Sequence, residues 1–311
     1  MSFEITTSFI DQFRSNLTIL SQQLDSRFRK GVRVEPAQGK RRAFEFIGPT
    51  TASKRLTRHG DSPLVSTPHS RRWATLVDYE WGDLIDDQDK VRTLIDPENP
   101  YARNANAAMN RAMDDEIIAS AFGTAVTGVD GTASTAWGTT PYDNTNPIAA
   151  DLLAHDYTDL TALANTGTGL SLPKLRAART IFRAREIDES QTLYLACSAQ
   201  QIENLLQTEE VTSADYNSLK ALVGGNISSF MGFTFIVSER LELIATDERR
   251  CIAWAQDGLG LGIGMDDELK VSERADKSYS TYVYRRMTIG AVRTEDEKVL
   301  EIRCQEPQAS S

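Results

Sequence analysis

An α+β fold without a regular βαβ period is what this sequence predicts, on three observations. Amphipathic helix patterns occupy residues 9–24 and 100–122. Short buried strand runs alternate irregularly with short helices through the second half. A proline-broken basic ribbon separates the first helix from the rest. With 311 residues, 40% of them hydrophobic, the chain can bury roughly three quarters of its unfolded surface and divide into lobes.

Taken in order, Phe9, Ile10, Phe13, Leu17, Leu20 and Leu24 recur at three- and four-residue intervals and form one apolar helix stripe. From about Val32 to Val77, Pro36, Pro49, Pro63 and Pro68 interrupt short alternating runs such as "RAFEFI", which predicts a long two-stranded excursion with an irregular tip. A helix follows from Pro100 to Phe122. Its inner stripe is Tyr101, Ala105, Ala108, Met109, Ala112, Met113, Ile117, Ala121 and Phe122, and Gly123 ends it. A Gly/Thr/Asn-rich loop with a small hairpin at Asp130–Gly131 comes next. Then "SLPKLRAARTIFRAREI" is a helix capped by Ser171, "TLYLACS" a strand, "AQQIENLLQ" a short helix and "FMGFTFIVS" a strand. Three strand-rich stretches close the chain: "CIAWAQDGLGLGIG", "LKVSERADKSYSTYVYRRMTIGAVR" and "KVLEIRCQ".

Charge is unevenly spread. Residues 1–72 hold 13 basic and 6 acidic groups, about +7, and the remainder holds 21 and 38, about −17, within a net charge of −10. Such asymmetry predicts a basic arm that meets an acidic partner: nucleic acid, a membrane surface, or another copy of the chain. Ordering some forty ribbon residues costs tens of kcal/mol, at about 1–2 kcal/mol each, so something beyond the ribbon must hold it.

No catalytic constellation survives inspection. "GLGLGIG" alternates Gly and lacks dinucleotide spacing, so it reads as a strand with a glycine face. "SLPK" has no companion S-D-N or K-T-G, and His59, His69 and His155 have no ligand at metal spacing. The carboxylates of "DLIDDQDK" and "MDDE" read as a solvated or subunit-facing acidic surface. Cys197, Cys251 and Cys304 read as reduced core thiols in a cytoplasmic setting. Neither a membrane span nor a signal peptide is visible, and no cofactor or metal site is expected.

This order of parts, with "RHGDSPLVSTPHSRR", "LVDYEWGDLIDDQDKVRTLIDP" and the "VTGVDGT" after the long helix, resembles the major capsid proteins of tailed bacteriophages with the Hong Kong 97-type fold. The resemblance implies an N-terminal arm over 1–32, an extended E-loop over 33–78, and a peripheral domain over 79–168 with its spine helix at 100–122. It implies an axial domain over 169–268, returning peripheral strands over 269–306 and a tail over 307–311. The implied function is a non-enzymatic shell of hexamers and pentamers around double-stranded DNA, contacted non-specifically. The protein would reside in the virion and assemble in the host bacterial cytoplasm, away from membranes. The chain shows no built-in helical scaffold, so, if it is complete, a separate scaffolding protein is implied, beside a portal and in some shells a decoration protein. An encapsulin-type compartment shell is the alternative, and a nucleic-acid-binding protein using the 39–72 arm is a second.

On this reading Phe9, Phe13 and Leu17 bury on a neighbour, and Arg41, Arg42, Arg71 and Arg72 come together as the ribbon's strands pair. They meet the acids Asp86, Asp87, Asp89, Asp114, Asp115 and Glu116 of an adjacent copy. Removing residues 1–28, or reversing Arg71 and Arg72, should then block shell closure without unfolding the subunit.

Overall fold

A computed structural model describes residues 22–55, 58, 62, 64–85, 98–142, 147–157, 168–207, 229–245 and 247–306. The first strands are β1 (Arg33–Pro36), β2 (Arg41–Ile47), β3 (His69–Thr75) and β4 (Val77–Ile85), followed by helix α1 (Glu98–Phe122). Then come β5 (Ala125–Thr127), β6 (Ala133–Thr135), β7 (Leu152–Leu153), helix α2 (Leu172–Ala184), β8 (Leu193–Cys197) and helix α3 (Ala199–Gln207). The last strands are β9 (Ser229–Phe230), β10 (Phe233–Val237), β11 (Leu243–Ala245), β12 (Glu248–Ala255), β13 (Leu259–Arg274), β14 (Ser280–Arg293) and β15 (Val299–Gln305). The chain divides into two compact units, one of residues 1–26, 77–113 and 264–289, the other of residues 27–76, 114–263 and 290–311.

The second unit is built on a mixed sheet in the order β7-β15-β12-β8-β10-β9, with β11 beside β12. Cys251 through Ala255 are all buried, the continuous apolar run of a strand covered on both faces. Helix α2 turns Leu175, Ala178, Ile181 and Phe182 inward, and the Phe182 ring lies 6.1 Å from that of Phe233. Ser171 takes the N-cap position in extended backbone, as expected, but its hydroxyl makes no capping bond and its Oγ is buried without a partner. A proline in the first turn fixes the start instead. The three cysteines are buried and free, and burial pushes the Cys197 thiol well up.

Buried cations tie loops to this core. Lys174 donates to the carbonyls of His155 (3.0 Å), Thr168 (2.6 Å) and Arg303 (3.0 Å), and burial lowers its pKa. Arg293 donates to the carbonyls of Ala121 and Gly123, both at 2.8 Å, satisfying acceptors that the end of α1 leaves open.

The chain enters this unit through a stack. Phe28 lies 5.8 Å from Trp254, which lies 5.6 Å from Tyr194, and Trp254 Nε1 donates to the Gly31 carbonyl at 2.7 Å. A Cβ at Gly31 would stand 3.2 Å from Trp254 and 3.3 Å from Tyr194, so any side chain there would press on the stack. Phe28 is fully buried, so cutting at residue 28 removes core as well as arm, contrary to the expectation for that truncation.

In the first unit β4 pairs antiparallel with β14, from Val77↔Ile289 to Ile85↔Thr281, and β14 neighbours β13. Arg285 donates to the Ala102 carbonyl of α1 at 2.8 Å. Residues 22–24 run along the same helix, where Gln22 meets Asn104 at 3.0 Å and Asn110 meets the Leu24 carbonyl at 2.9 Å. Helix α1 starts two residues before the expected Pro100. It buries Ala105, Met109, Met113, Ile117 and Ala121 of the expected stripe, and Ala107, Asp114 and Ile118 besides. No described helix is long and apolar enough to cross a membrane.

Candidate assembly interface

The ribbon is a paired stem. Strands β2 and β3, seven residues each, pair antiparallel from Arg41↔Thr75 to Ile47↔His69, and Gly48 N donates to the Pro68 carbonyl at 2.8 Å to close the far end. β3 continues the sheet onto β5, and β5 onto β6, which form the hairpin expected at Asp130–Gly131. The stem's inner face is a small core of Phe44, Ala74, Ala125 and Val292, with Phe46 at its margin. The glycine face of β13 makes room for it. A Cβ at Gly260 would fall 2.8 Å from the Phe44 ring, and one at Gly262 3.1 Å from Cβ of Arg42.

The arginine doublets do not face one another. The register sets Arg71 opposite Glu45 and Arg72 opposite Phe44, while Arg41 and Arg42 lie opposite Thr75 and Ala74, three residues out of step. Each cation finds a partner in its own chain. Arg42 grips Glu35 through Nε (3.0 Å) and Nη2 (2.6 Å). Burial works to raise the Glu35 carboxyl, yet Arg42 and Arg33 hold it below its ordinary value. Arg71 pairs with Glu45, lies 5.3 Å over the Trp73 ring and reaches the Val129 carbonyl at 3.2 Å. Arg72 meets Asp296 at 2.8 Å, while its Nη1 is buried with no partner. With Trp73 Nε1 on the Gly128 carbonyl (2.8 Å) and Arg41 on that of Gly131 (3.4 Å), the stem grips the tip of the β5–β6 hairpin. A cleft of about 470 Å³ lies between that hairpin and β3.

At the stem's far end and in the loop beyond the closing hydrogen bond, apolar side chains stand in solvent. Ile47 is 69% exposed and Leu64 fully so.

The acidic candidates separate. Asp114 is buried and accepts from the backbone N–H groups of Arg27 (3.0 Å) and Phe28 (3.3 Å), orienting the chain's entry. Asp115 holds Arg240 in a two-point ion pair, and Glu116 is half-buried. Asp86, Asp87, Asp89, Phe9, Phe13 and Leu17 lie outside the described residues. Sequence reading missed Glu35, Glu45 and Asp296 as partners of the basic ribbon. Glu45 carried a signal, since it sits inside the alternating run. Asp296, 224 residues from Arg72, carried none. Among the described residues no group of three His, Cys, Asp or Glu is placed to hold a metal ion.

A family model for phage capsid proteins matches residues 5–306. No curated protein sequence matches. Similar solved structures include the capsid of Ralstonia phage GP4 (TM-score 0.69, 11% identity, 100% of each chain covered) and that of cyanophage P-SCSP1u (TM-score 0.69, 14% identity, 96% of this chain and 94% of that one). Mycobacterium phage Che8 gives a TM-score of 0.63 at 14% identity, with 95% and 97% covered. Likeness at such low identity establishes a shared fold, the α+β capsid fold that the sequence resemblance implied, and the match over residues 5–306 places the chain in the phage capsid protein family.

Proposed function

We propose that the β2–β3 stem and its loop form an intersubunit clasp, through which copies of this chain close an icosahedral shell. The chain is a structural major capsid protein, and the encapsulin alternative is not favoured. The observation that carries the clasp is the contrast along the ribbon. The stem is fully paired and its arginines are engaged within the chain, whereas Ile47 at its far end and Leu64 in the loop are uncovered among the described residues. A neighbouring copy supplies that cover and the ordering energy of the loop.

On this reading residues 1–32 are the arm, 33–78 the E-loop, 79–168 and 269–306 the peripheral domain and 169–268 the axial domain. Hexamers and pentamers assemble in the host cytoplasm around a separate scaffolding protein, with a portal and packaged DNA, and no catalysis is involved. Replacing residues 49–67 by a two-residue turn tests the clasp. The shortened subunit should keep its urea midpoint and form no shells under negative stain, and shells of normal size would exclude the clasp.

A further inference from the structure

We infer that helix α2 carries the surface on which this chain meets the phosphate backbone of duplex DNA, a row of arginines at 176, 179 and 183. The inference rests on the capsid reading above. In a chain of net charge −10, residues 172–184 hold four cations and no acid. Lys174 is buried on its carbonyls. The three arginines fall within an arc of about 60° on the opposite side of the helix, about 4.5 and 6 Å apart along its axis. The row therefore spans about 10 Å, the length over which one strand of duplex presents about three phosphates.

Their partners are few. Among the described residues the guanidinium groups of Arg176 and Arg179 make no hydrogen bond or ion pair, and the Arg183–Glu189 pair is 62% and 70% exposed. Arg179 is also seated. The turn before β10 places Met231 (φ 51°) and Gly232 (φ 82°) in left-handed backbone, and a Cβ at 232 would stand 3.1 Å from Nη1 of Arg179 and 3.2 Å from its Cζ. The missing side chain lets the guanidinium lie against the turn, which limits its rotamers before any ligand arrives. A guanidinium held this way suits two-point bonding to phosphate. The ribbon, more basic in sequence, is less available, since Arg42, Arg71 and Arg72 are engaged by Glu35, Glu45 and Asp296.

The test is the salt dependence of duplex binding by the full-length subunit, followed by fluorescence anisotropy with a 30-base-pair probe. R176Q/R179Q/R183Q is compared with the ribbon variant K40Q/K54Q/R55Q. At about 0.9 per phosphate contact, the helix variant should flatten the log–log slope by about 2.7, so that it loses about 40-fold less affinity between 50 and 200 mM salt. Its shells should look normal under negative stain, and the ribbon variant should keep the wild-type slope. An unchanged slope in the helix variant, flattening in the ribbon variant alone, or no duplex binding by the wild type overturns the inference. So does loss of shells with the slope intact, which would assign the row to a contact between copies. Failure of the capsid reading shows separately, as wild-type protein that forms no shells.

Discussion

Arg72 on the stem and Asp296 after β14 meet at 2.8 Å, and Asp296 also receives Nε of Arg293, whose Nη1 holds the end of α1. The stem's return strand is thereby tied to the end of α1 within its own unit. Neighbouring Arg71, paired with Glu45 at the surface, is not.

The two arginines should therefore separate. Arg72→Glu sets a second carboxylate beside Asp296 at a site where the arginine is 15% exposed, and should cost about 2–4 kcal/mol in urea unfolding of the isolated subunit. Arg71→Glu breaks surface contacts, the Glu45 pair, the bond to the Val129 carbonyl and the stacking on Trp73, and sets two exposed carboxylates opposite one another, and should cost about 1 kcal/mol. Equal costs would show that the Asp296 network does not bear on stability. The sequence alone predicted no cost for either, because it offered no partner within the chain.

Met113 is 2% exposed on the inner face of α1. Met113→Asp should cost several kcal/mol and leave little folded subunit by circular dichroism, whereas Ala119→Asp, on the exposed face, should stay within about 0.5 kcal/mol. A folded Met113→Asp protein would refute the buried assignment.

At the stem's base, Gly260→Val places a branched side chain into the Phe44 ring, where even a Cβ stands 2.8 Å away. The substitution should cost about 1–3 kcal/mol and lower the yield of closed shells more than that of folded subunit. Gly39→Ala is the control, since nothing lies within 4 Å of a Cβ there, although φ of +86° adds backbone strain. Indistinguishable shell yields for the two would mean that the Phe44 seat does not set the stem.

Glu306 should contribute to acid sensitivity. Burial works to raise its carboxyl, but hydrogen bonds from Arg249 (2.8 Å), Ser198 (2.6 Å) and Gln201 (3.0 Å) outweigh it and hold the pKa below the ordinary 4.5. A lowered folded-state pKa adds stability that is present above 4.5 and is lost as pH falls through the folded value. Glu306→Gln should therefore be less stable than wild type at pH 7, with the gap narrowing below pH 4.5. A constant gap from pH 7 to pH 3 would assign the effect to packing.

Helix α1, the hairpin at Asp130–Gly131, the bounds of α3 and the glycine strand were all legible, because each rests on local periodicity or on a residue with special backbone freedom. The charge pattern was legible as an imbalance and not as a set of partners. Asp114 shows why. In sequence it is one acid of "MDDE", indistinguishable from Asp115, and only the helix phase together with the return of Arg27 and Phe28 makes it a buried acceptor while Asp115 stays at the surface. Arg176 and Arg179 were likewise visible as helix residues, but that they have no counter-ion among the described residues is a property of the folded chain.

The hydrogen bond from Gly48 to Pro68 also determines what the loop beyond it can become. Since the stem has already brought the two ends together, lengthening the chain between them costs the subunit chiefly closure entropy, about 0.6 kcal/mol for each doubling. A foreign peptide spliced between Ala52 and Ser53, both exposed, would thus be tolerated by the subunit at almost any size. The limit on such a graft would be set by the shell, in the space left between neighbouring copies.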